Sequence, residues 1–430
     1  PLLIRGAFSE EYLRLPDMVL LAVMRKHQRY LPVLRDGRLL PYFVAVANGA
    51  NLDADAVRHG NEEVLRARYA DAAFFYDADV GKPLSAYTPA LATLTFQERL
   101  GSVLDKVGRL ERLAAELGEM LGLAEGEREE SVRAAGLAKS DLATQMVVEL
   151  TSLQGQMGRH YATLSGEDPA VAAAIEEHYL PRSAGDRLPE TMPGVVVGLA
   201  DRLDSLVGLF AVGVKPSGAA DPWGLRRAAL GLVQILVGKG LSLALPEALA
   251  AAAETLEVEV TEDALREVLE FIERRFRGYL LESGYRFDAV DAVLAERSYD
   301  PALAVETLAA LTASVERDDW AGLLDSYARC VRIARNEAAV HPVDPDRLEE
   351  PAEVALYAAY REAAPRVAEA GTVDALFQEL RRLQPHITAF FDQVLVMAEE
   401  PAVRNNRLGL LQAIGALAEG IVDLTVMEGF

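Results

Sequence analysis

From Gly60 to the C-terminus, apolar residues recur at the spacing of helix faces, interrupted only by short stretches of turn chemistry. A chain patterned this way must bury one stripe of each helix, so it folds as packed helices. Leu199, Leu203, Leu206 and Phe210, spaced by four, three and four, form one such stripe. The run RAALGLVQILV is apolar nearly all round and reads as a buried central helix. Ahead of this region, residues 17–48 read as strands, with Asp36-Gly37 as the turn of a hairpin. The expected fold class is mainly α and multi-domain, with a small N-terminal β piece.

The 430 residues are too many for one core and predict two to four domains. Loops rich in Gly and Pro fall at PRSAGDRLPETMPG and GVKPSGAADPWG, and SYDPALAV reads as a junction before the last 130 residues, four or five amphipathic helices. A net charge of −23 argues against indiscriminate binding to nucleic acid or to an anionic membrane, while leaving room for a local basic groove. The single cysteine, Cys330, excludes an internal disulfide framework and a Cys-rich zinc site, and fits a reducing compartment. No apolar run reaches membrane-span length and no signal peptide is visible. The opening Pro1, without an initiator Met, reads as the start of a fragment in mid-domain.

Three constellations carry chemistry. In AKSDLATQMVVELTSLQGQMGRHYA, beginning at Ala138, a helix with a buried Asp141 is expected. In LADRLDSL, Asp201 and Asp204 share a helix face at i,i+3 and could meet Asp141 around a divalent cation. One family of metal phosphohydrolases carries His-Asp at such a place. Here the residue before Asp141 is Ser140, and the helix FQERLGSVLDKVGRLERL has no His either. An oxygen-only remnant of a His/Asp site holds a transition metal weakly. The alternative is that the aspartates pair with Lys139, Arg202 or backbone donors, and no bound metal is expected.

His27, His59, His160, His178, His341 and His386 are scattered, without HxH or HExxH spacing, and read as hydrogen-bonded structural residues. No nucleophile elbow, P-loop or dinucleotide fingerprint is present. Cationic residues cluster in MRKHQRY, VLRARYADA, WGLRRAAL, ERRFRGY and VRNNRL. Arginine beside amides and aromatics suits phosphate contact and base stacking, and salt bridges to the abundant acids are the alternative. The candidates are Arg66, Arg68, Arg226, Arg227, Arg404, Asn405 and Arg407. In AEEPAVRNNRLGLLQ, Pro401 suits a first helical turn, Glu399 and Glu400 its favourable end. Arg404 and Arg407 then share an exposed face with Asn405 beside them, and Leu408 and Leu411 face the core. Ion pairs from both arginines to Asp392 or Glu399 are the competing arrangement.

The motifs VLRARYADAAFFYDAD, KSDLATQMVVELTSLQGQMGRHYA, AIEEHYLPRSAGDRLP, LADRLDSLVGLFAVGVKPSGAADPWGLRRAALG and FFDQVLVMAEEPAVRNNRLGLL occur in order at family-like distances. From about residue 17 onward the chain resembles the β subunit of bacterial heteromeric glycyl-tRNA synthetase. The resemblance implies an α2β2 assembly in the cytoplasm, away from any membrane. Its α subunit uses ATP and Mg to activate glycine, and its β subunit grips tRNA-Gly. It also implies that this chain alone has no cofactor and no catalytic residue. The implied domains are the end of the body-tail region (1–58), a degenerate HD-type helical domain (59–245), a helical linker (246–300) and an α-helical anticodon-binding domain (301–430). The first resembles part of archaeal CCA-adding enzymes, with LLAVMRKHQRYLPV as its final strands, and the last resembles that of arginyl-tRNA synthetase. Most of the N-terminal region is missing, which puts docking to α and acceptor-stem binding in question. A stand-alone HD-type phosphohydrolase is the competing function, and a scaffold without RNA contact a third.

Overall fold

The computed structural model describes residues 1–49, 52–183, 185–218 and 220–430; the side chains of Lys26 and His27 lie outside the described set, so that histidine is not placed. Two compact units are formed, one from residues 1–235 and 247–265, the other from 236–246 and 266–430. Residues 246–300 are thus shared between the units.

Unit 1 opens on a three-stranded antiparallel sheet in which β1 (Leu2–Ala7), β2 (Leu31–Arg35) and β3 (Arg38–Ala47) lie in the order β1-β3-β2. Arg35 pairs with Arg38 across a two-residue turn, and Asp36 and Gly37 both have positive φ, 52° and 77°. That is the backbone Asp-Gly favours in a tight hairpin. Ile4, Leu39, Phe43 and Ala45 face inward. The strand reading fails for residues 17–28, which are helical: α1 spans Asp17–Ala22 and a π-helical turn continues over Val23–Gln28. Val19, Leu20, Val23 and Met24 are buried together. A short continuous apolar run has no period-two alternation, so it suits a buried helix as well as a buried strand.

Helix α2 (Ala54–Asp79) starts at the cap Asp53, whose carboxylate accepts the Asp55 and Ala56 N–H groups at 3.0 and 3.1 Å. After a small β4 (Thr95–Gln97) and β5 (Gly101–Ser102) ladder come α3 (Val103–Met120), α4 (Glu125–Leu137), α5 (Gln145–Glu149), α6 (Gln156–Leu164), α7 (Pro169–Glu177) and α8 (Met192–Ala211). The centre of the unit is α8, packed against α3, α4 and α7. Its stripe Leu199, Leu203, Leu206 and Phe210 is buried as its spacing predicts. Next follow α9 (Leu225–Lys239), α10 (Leu245–Glu254) and α11 (Glu262–Glu282). RAALGLVQILV lies in α9, with Ala229, Leu232, Val233, Ile235 and Leu236 buried.

The second unit is built from α11 from Arg266 onward, together with α12 (Phe287–Arg297), α13 (Pro301–Val315), α14 (Trp320–Ala334), α15 (Pro351–Ala370), α16 (Val373–Gln393) and α17 (Pro401–Gly415). Here α16 packs on α13, α14 and α15, and α17 packs on α14. Prolines at the first turns of α13, α15 and α17 remove an N–H that has no helical partner there.

Candidate functional site

The stretch from Ala138 is a series of short pieces rather than one helix. Asp141 lies in a 3-10 turn, Ser140–Ala143, and Thr144 recaps the chain into α5 through the Val147 N–H. Asp141 is fully buried, and one of its oxygens accepts the Gly155 and Gly158 N–H groups at 2.6 and 3.1 Å. Its Oδ1 has no hydrogen-bond partner. Burial pushes its pKa up to about 6 against the pull of those amides and of Lys139. Ser140, at the missing imidazole's place, shares a 2.7 Å hydrogen bond with the Thr88 hydroxyl.

Asp201 and Asp204 meet cations from two other segments. The capping box of Ser102 and Asp105 starts α3, placing Lys106 and Arg109 at i,i+3 opposite the i,i+3 aspartates of α8. Lys106 Nζ is 3.0 Å from Asp201 Oδ1 and 2.7 Å from Asp204 Oδ2, and Arg109 Nε is 2.5 Å from Asp204 Oδ1. Lys139 Nζ lies 2.9 Å from Asp201 Oδ2, 2.8 Å from His178 Nε2 and 4.2 Å from the centre of the Tyr179 ring. His178 Nδ1 is 2.9 Å from the Ile175 carbonyl oxygen, so it carries the proton and leaves Nε2 to accept from the ammonium. Burial works to raise the Asp201 carboxyl, but Lys106, Lys139 and His178 hold it well below its usual range. Lys139 is lowered by burial despite Asp201.

This donor set does not fit a metal ion. An ammonium stands between His178 and Asp201, and another joins Asp201 to Asp204. Among the described residues no three His, Cys, Asp or Glu side chains are grouped to hold one. The pairing with Lys139 and with backbone donors follows the sequence-based alternative; Arg202 does not take part. Its guanidinium instead donates to the His178, Gly198, Leu180 and Pro181 carbonyls. Lys106 and Arg109 were missed by sequence reasoning, whereas His178 is hydrogen-bonded within the core, as its structural reading expects. The signal was present in α3, where two cations at i,i+3 interrupt an otherwise leucine-rich stripe.

The arginine candidates divide by burial. Arg407 is corrected: it is only 7% exposed. Its Nε pairs with Glu353 and its Nη1 donates to the Leu395 carbonyl at 2.8 Å. It therefore meets neither Asp392 nor Glu399, and it shares no open face with Arg404. Glu353 is itself buried and accepts the Glu349 and Glu350 N–H groups that begin α15, so Arg407 is a bracket within the core. Arg404 and Asn405 are half-buried, and Arg404 makes no ion pair among the described residues. The neighbouring Asn406, not singled out in the sequence, is buried and bonds both backbone groups of Asp344. Leu408 and Leu411 face the core. In unit 1, Arg66 pairs with Glu63 on the surface and Arg68 is exposed. Arg226 is spent on the Gly218 and Ala220 carbonyls, and Arg227 is exposed.

Residues 1–295 match the family described as glycyl-tRNA synthetase beta subunit. The chain belongs to that family. A DALR anticodon binding domain matches residues 323–425, covering α14 to α17. A glycine–tRNA ligase beta subunit of Desulforamulus reducens is 42% identical over 99% of this chain and 62% of its own length. The Moorella thermoacetica protein of the same description is 44% identical over 99% of this chain and 63% of its own. The chloroplastic/mitochondrial glycine–tRNA ligase 2 of Arabidopsis thaliana is 40% identical over the whole chain and 40% of its own. The chain thus spans about 62% of the length of the bacterial relatives it matches. Within this glycyl-tRNA synthetase beta chain, no helix among the described residues is long and apolar enough to cross a membrane.

Proposed function

We infer that this chain is the tRNA-gripping part of the β subunit of a cytoplasmic glycyl-tRNA synthetase. Its partners in this reading are tRNA-Gly and an α subunit, in an α2β2 assembly, with ATP and Mg bound by α and no cofactor or catalytic residue in this chain. The observation that carries the reading is the anticodon-binding domain over residues 323–425 joined to a family-matching unit 1. The arrangement of unit 1 supports it, because the ammonium groups of Lys106 and Lys139 occupy the carboxylates a phosphohydrolase would need for metal. The stand-alone HD-type phosphohydrolase thereby loses its basis. RNA affinity in a chain of net charge −23 has to come from local cations, and Arg404 and Asn405 at the start of α17 are the proposed anticodon contacts, with Arg66, Arg68 and Arg227 as further candidates.

The test is a gel shift with tRNA-Gly at two salt concentrations, together with glycine-dependent ATP–pyrophosphate exchange. Binding that falls steeply with salt, and exchange only after the α subunit is added, are the expected results. Exchange by the isolated chain would sink the reading. A stoichiometric metal, with phosphodiesterase activity lost in Asp141→Ala, would restore the phosphohydrolase.

A further inference from the structure

An HD-type fold implies a divalent cation, and the residues of unit 1 do not fit one as they stand. Where imidazole and carboxylate converge, the ammonium of Lys139 is found instead. Lys139 Nζ lies 2.8 Å from His178 Nε2 and 2.9 Å from Asp201 Oδ2, and it stands over the Tyr179 ring, 4.2 Å from its centre. Two of the three ammonium N–H groups meet those acceptors, and the ring face accommodates the remaining positive charge. The cation is satisfied without water.

The groups around it are arranged as metal ligands are. His178 donates from Nδ1 to the Ile175 carbonyl oxygen, 2.9 Å away, which fixes the ring and aims the Nε2 lone pair at the cation. A metal-bound histidine is held in the same way, by a carbonyl or carboxylate behind it. Asp141 is fully buried, its Oδ1 has no hydrogen-bond partner, and the charge of Lys139 acts on its carboxylate. Lys139 precedes the turn Ser140–Ala143, His178 caps the C-terminal end of α7, and Asp201 lies on α8. The ammonium therefore ties together three segments that are distant in sequence, as a bound metal would. Both oxygens of Asp201 and of Asp204 are engaged in ion pairs. An added cation would meet one uncommitted oxygen among these aspartates, that of Asp141.

We propose that Lys139 is the built-in cation of this unit, and that withdrawing its side chain uncovers a transition-metal site on His178 Nε2 and Asp201 Oδ2. This role concerns how unit 1 is held together and is independent of RNA binding. Imidazole with carboxylate suits a first-row divalent ion such as Co²⁺ or Zn²⁺ and serves Mg²⁺ poorly. The two donors lie 2.8 and 2.9 Å from the ammonium, whereas a metal ion needs them at about 2.0–2.2 Å. Each must close in by about 0.7 Å once the ammonium is gone. The Asp201 side chain is 19% exposed, so water can reach the position and complete the coordination. An ammonium carried on the chain holds the three segments whatever the metal supply, and no chelator can remove it.

The experiment compares the full chain with Lys139→Ala, with Lys139→Met and with Lys139→Ala combined with His178→Ala. Thermal unfolding is read at Trp223 in Co²⁺, Mg²⁺ or EDTA, and Co²⁺ binding by its visible absorption. The wild type should melt alike in all three and show no Co²⁺ band. Lys139→Ala should melt lower in EDTA, recover in Co²⁺ but not in Mg²⁺, and show the absorption of an imidazole-bound ion. Lys139→Met fills the position without charge, so it should be destabilised and gain nothing from Co²⁺. The double variant should bind Co²⁺ at least about tenfold more weakly than Lys139→Ala, since losing a ligand's outer partner already costs that much. If Lys139→Ala is soluble only when prepared in Co²⁺, that too supports the assignment. Solubility in neither medium would overturn it. So would a folded Lys139→Ala without a Co²⁺ band, unchanged Co²⁺ affinity in the double variant, or equal affinity in the wild type.

Discussion

In unit 1, Lys106, Lys139 and Arg109 meet the carboxylates of Asp201 and Asp204. In unit 2, Arg407 meets the buried Glu353, while Arg404, one turn earlier on the same helix, meets no carboxylate among the described residues. Both regions show charged residues at i,i+3 in an apolar setting, and in both the pairing partner decides the role. A cation that has found a buried carboxylate is part of the core and unavailable to a ligand. A cation left half-buried without one is available. Charge spacing on a helix therefore indicates who shares a face, and only the opposing element shows whether that face is spent.

The strongest test of this comparison removes one member of each buried pair. Asp204→Ala leaves Lys106 with a weakened partner set and Arg109 with only the Leu100 carbonyl, and Arg407→Ala removes the cation from Glu353. Each should cost about 3–5 kcal/mol, the usual penalty for breaking a buried ion pair. The two tryptophans allow separate readings, Trp223 in unit 1 and Trp320, edge-on to Phe377, in unit 2. Urea unfolding should show the loss at Trp223 for Asp204→Ala and at Trp320 for Arg407→Ala. A loss below about 1 kcal/mol in both would mean that these pairs are no more than surface-like contacts.

A second test uses pH within unit 1, where Asp141 and Asp201 respond in opposite senses. The raised carboxyl of Asp141 binds its proton more tightly folded than unfolded, so its contribution to stability falls as pH rises from about 4 to about 6. The shift from 3.8 to about 6 corresponds to about 3 kcal/mol as an upper bound. Asp201, held low, contributes stability that is present above the unfolded carboxyl range and is lost as pH falls through its own lower value. Asp141→Asn should therefore flatten the decline between pH 4 and 6 at Trp223, and Asp201→Asn should remove the protection at lower pH. An unchanged profile in Asp141→Asn would show that the buried carboxyl does not titrate in that window.

Much of this was legible in the sequence, for physical reasons that can be named. The stripe of α8 and the Asp36-Gly37 hairpin follow from periodicity and turn chemistry alone. The strand-like reading of residues 17–28 failed because a short apolar run carries no period. Strand β1 went unseen, since its six residues are too few to show alternation clearly and are fixed by pairing with β3, over 30 residues away in sequence. At the aspartate cluster, the missing imidazoles were visible, but Lys106 and Arg109 reach Asp204 across 98 and 95 residues. At α17, helical phase assigned Leu408 and Leu411 correctly and Arg407 wrongly, because the buried acid that turns Arg407 inward is 54 residues earlier. Asn405 and Asn406 are adjacent and chemically identical, and only the position of Asp344 distinguishes the open one from the buried one.

The mildest perturbation sharpens the comparison most. Arg404→Ala removes a half-buried side chain with no ion pair, so the stability read at Trp320 should move by no more than about 0.5 kcal/mol. Its effect belongs in binding. If Arg404 reads a base, affinity for tRNA-Gly should fall by about 1–3 kcal/mol, with relaxed discrimination against a substituted anticodon. If it holds a phosphate, both RNAs should weaken together and the salt slope should drop by about one unit. Asn405→Ala separates the two cases further, because an amide can read a base edge but adds little to counterion release. Arg407→Ala serves as the contrast, with its loss appearing first in folding. Should Arg404→Ala and Asn405→Ala both bind both RNAs as the wild type does, the start of α17 is not an anticodon contact, and availability alone would not have made this arginine functional.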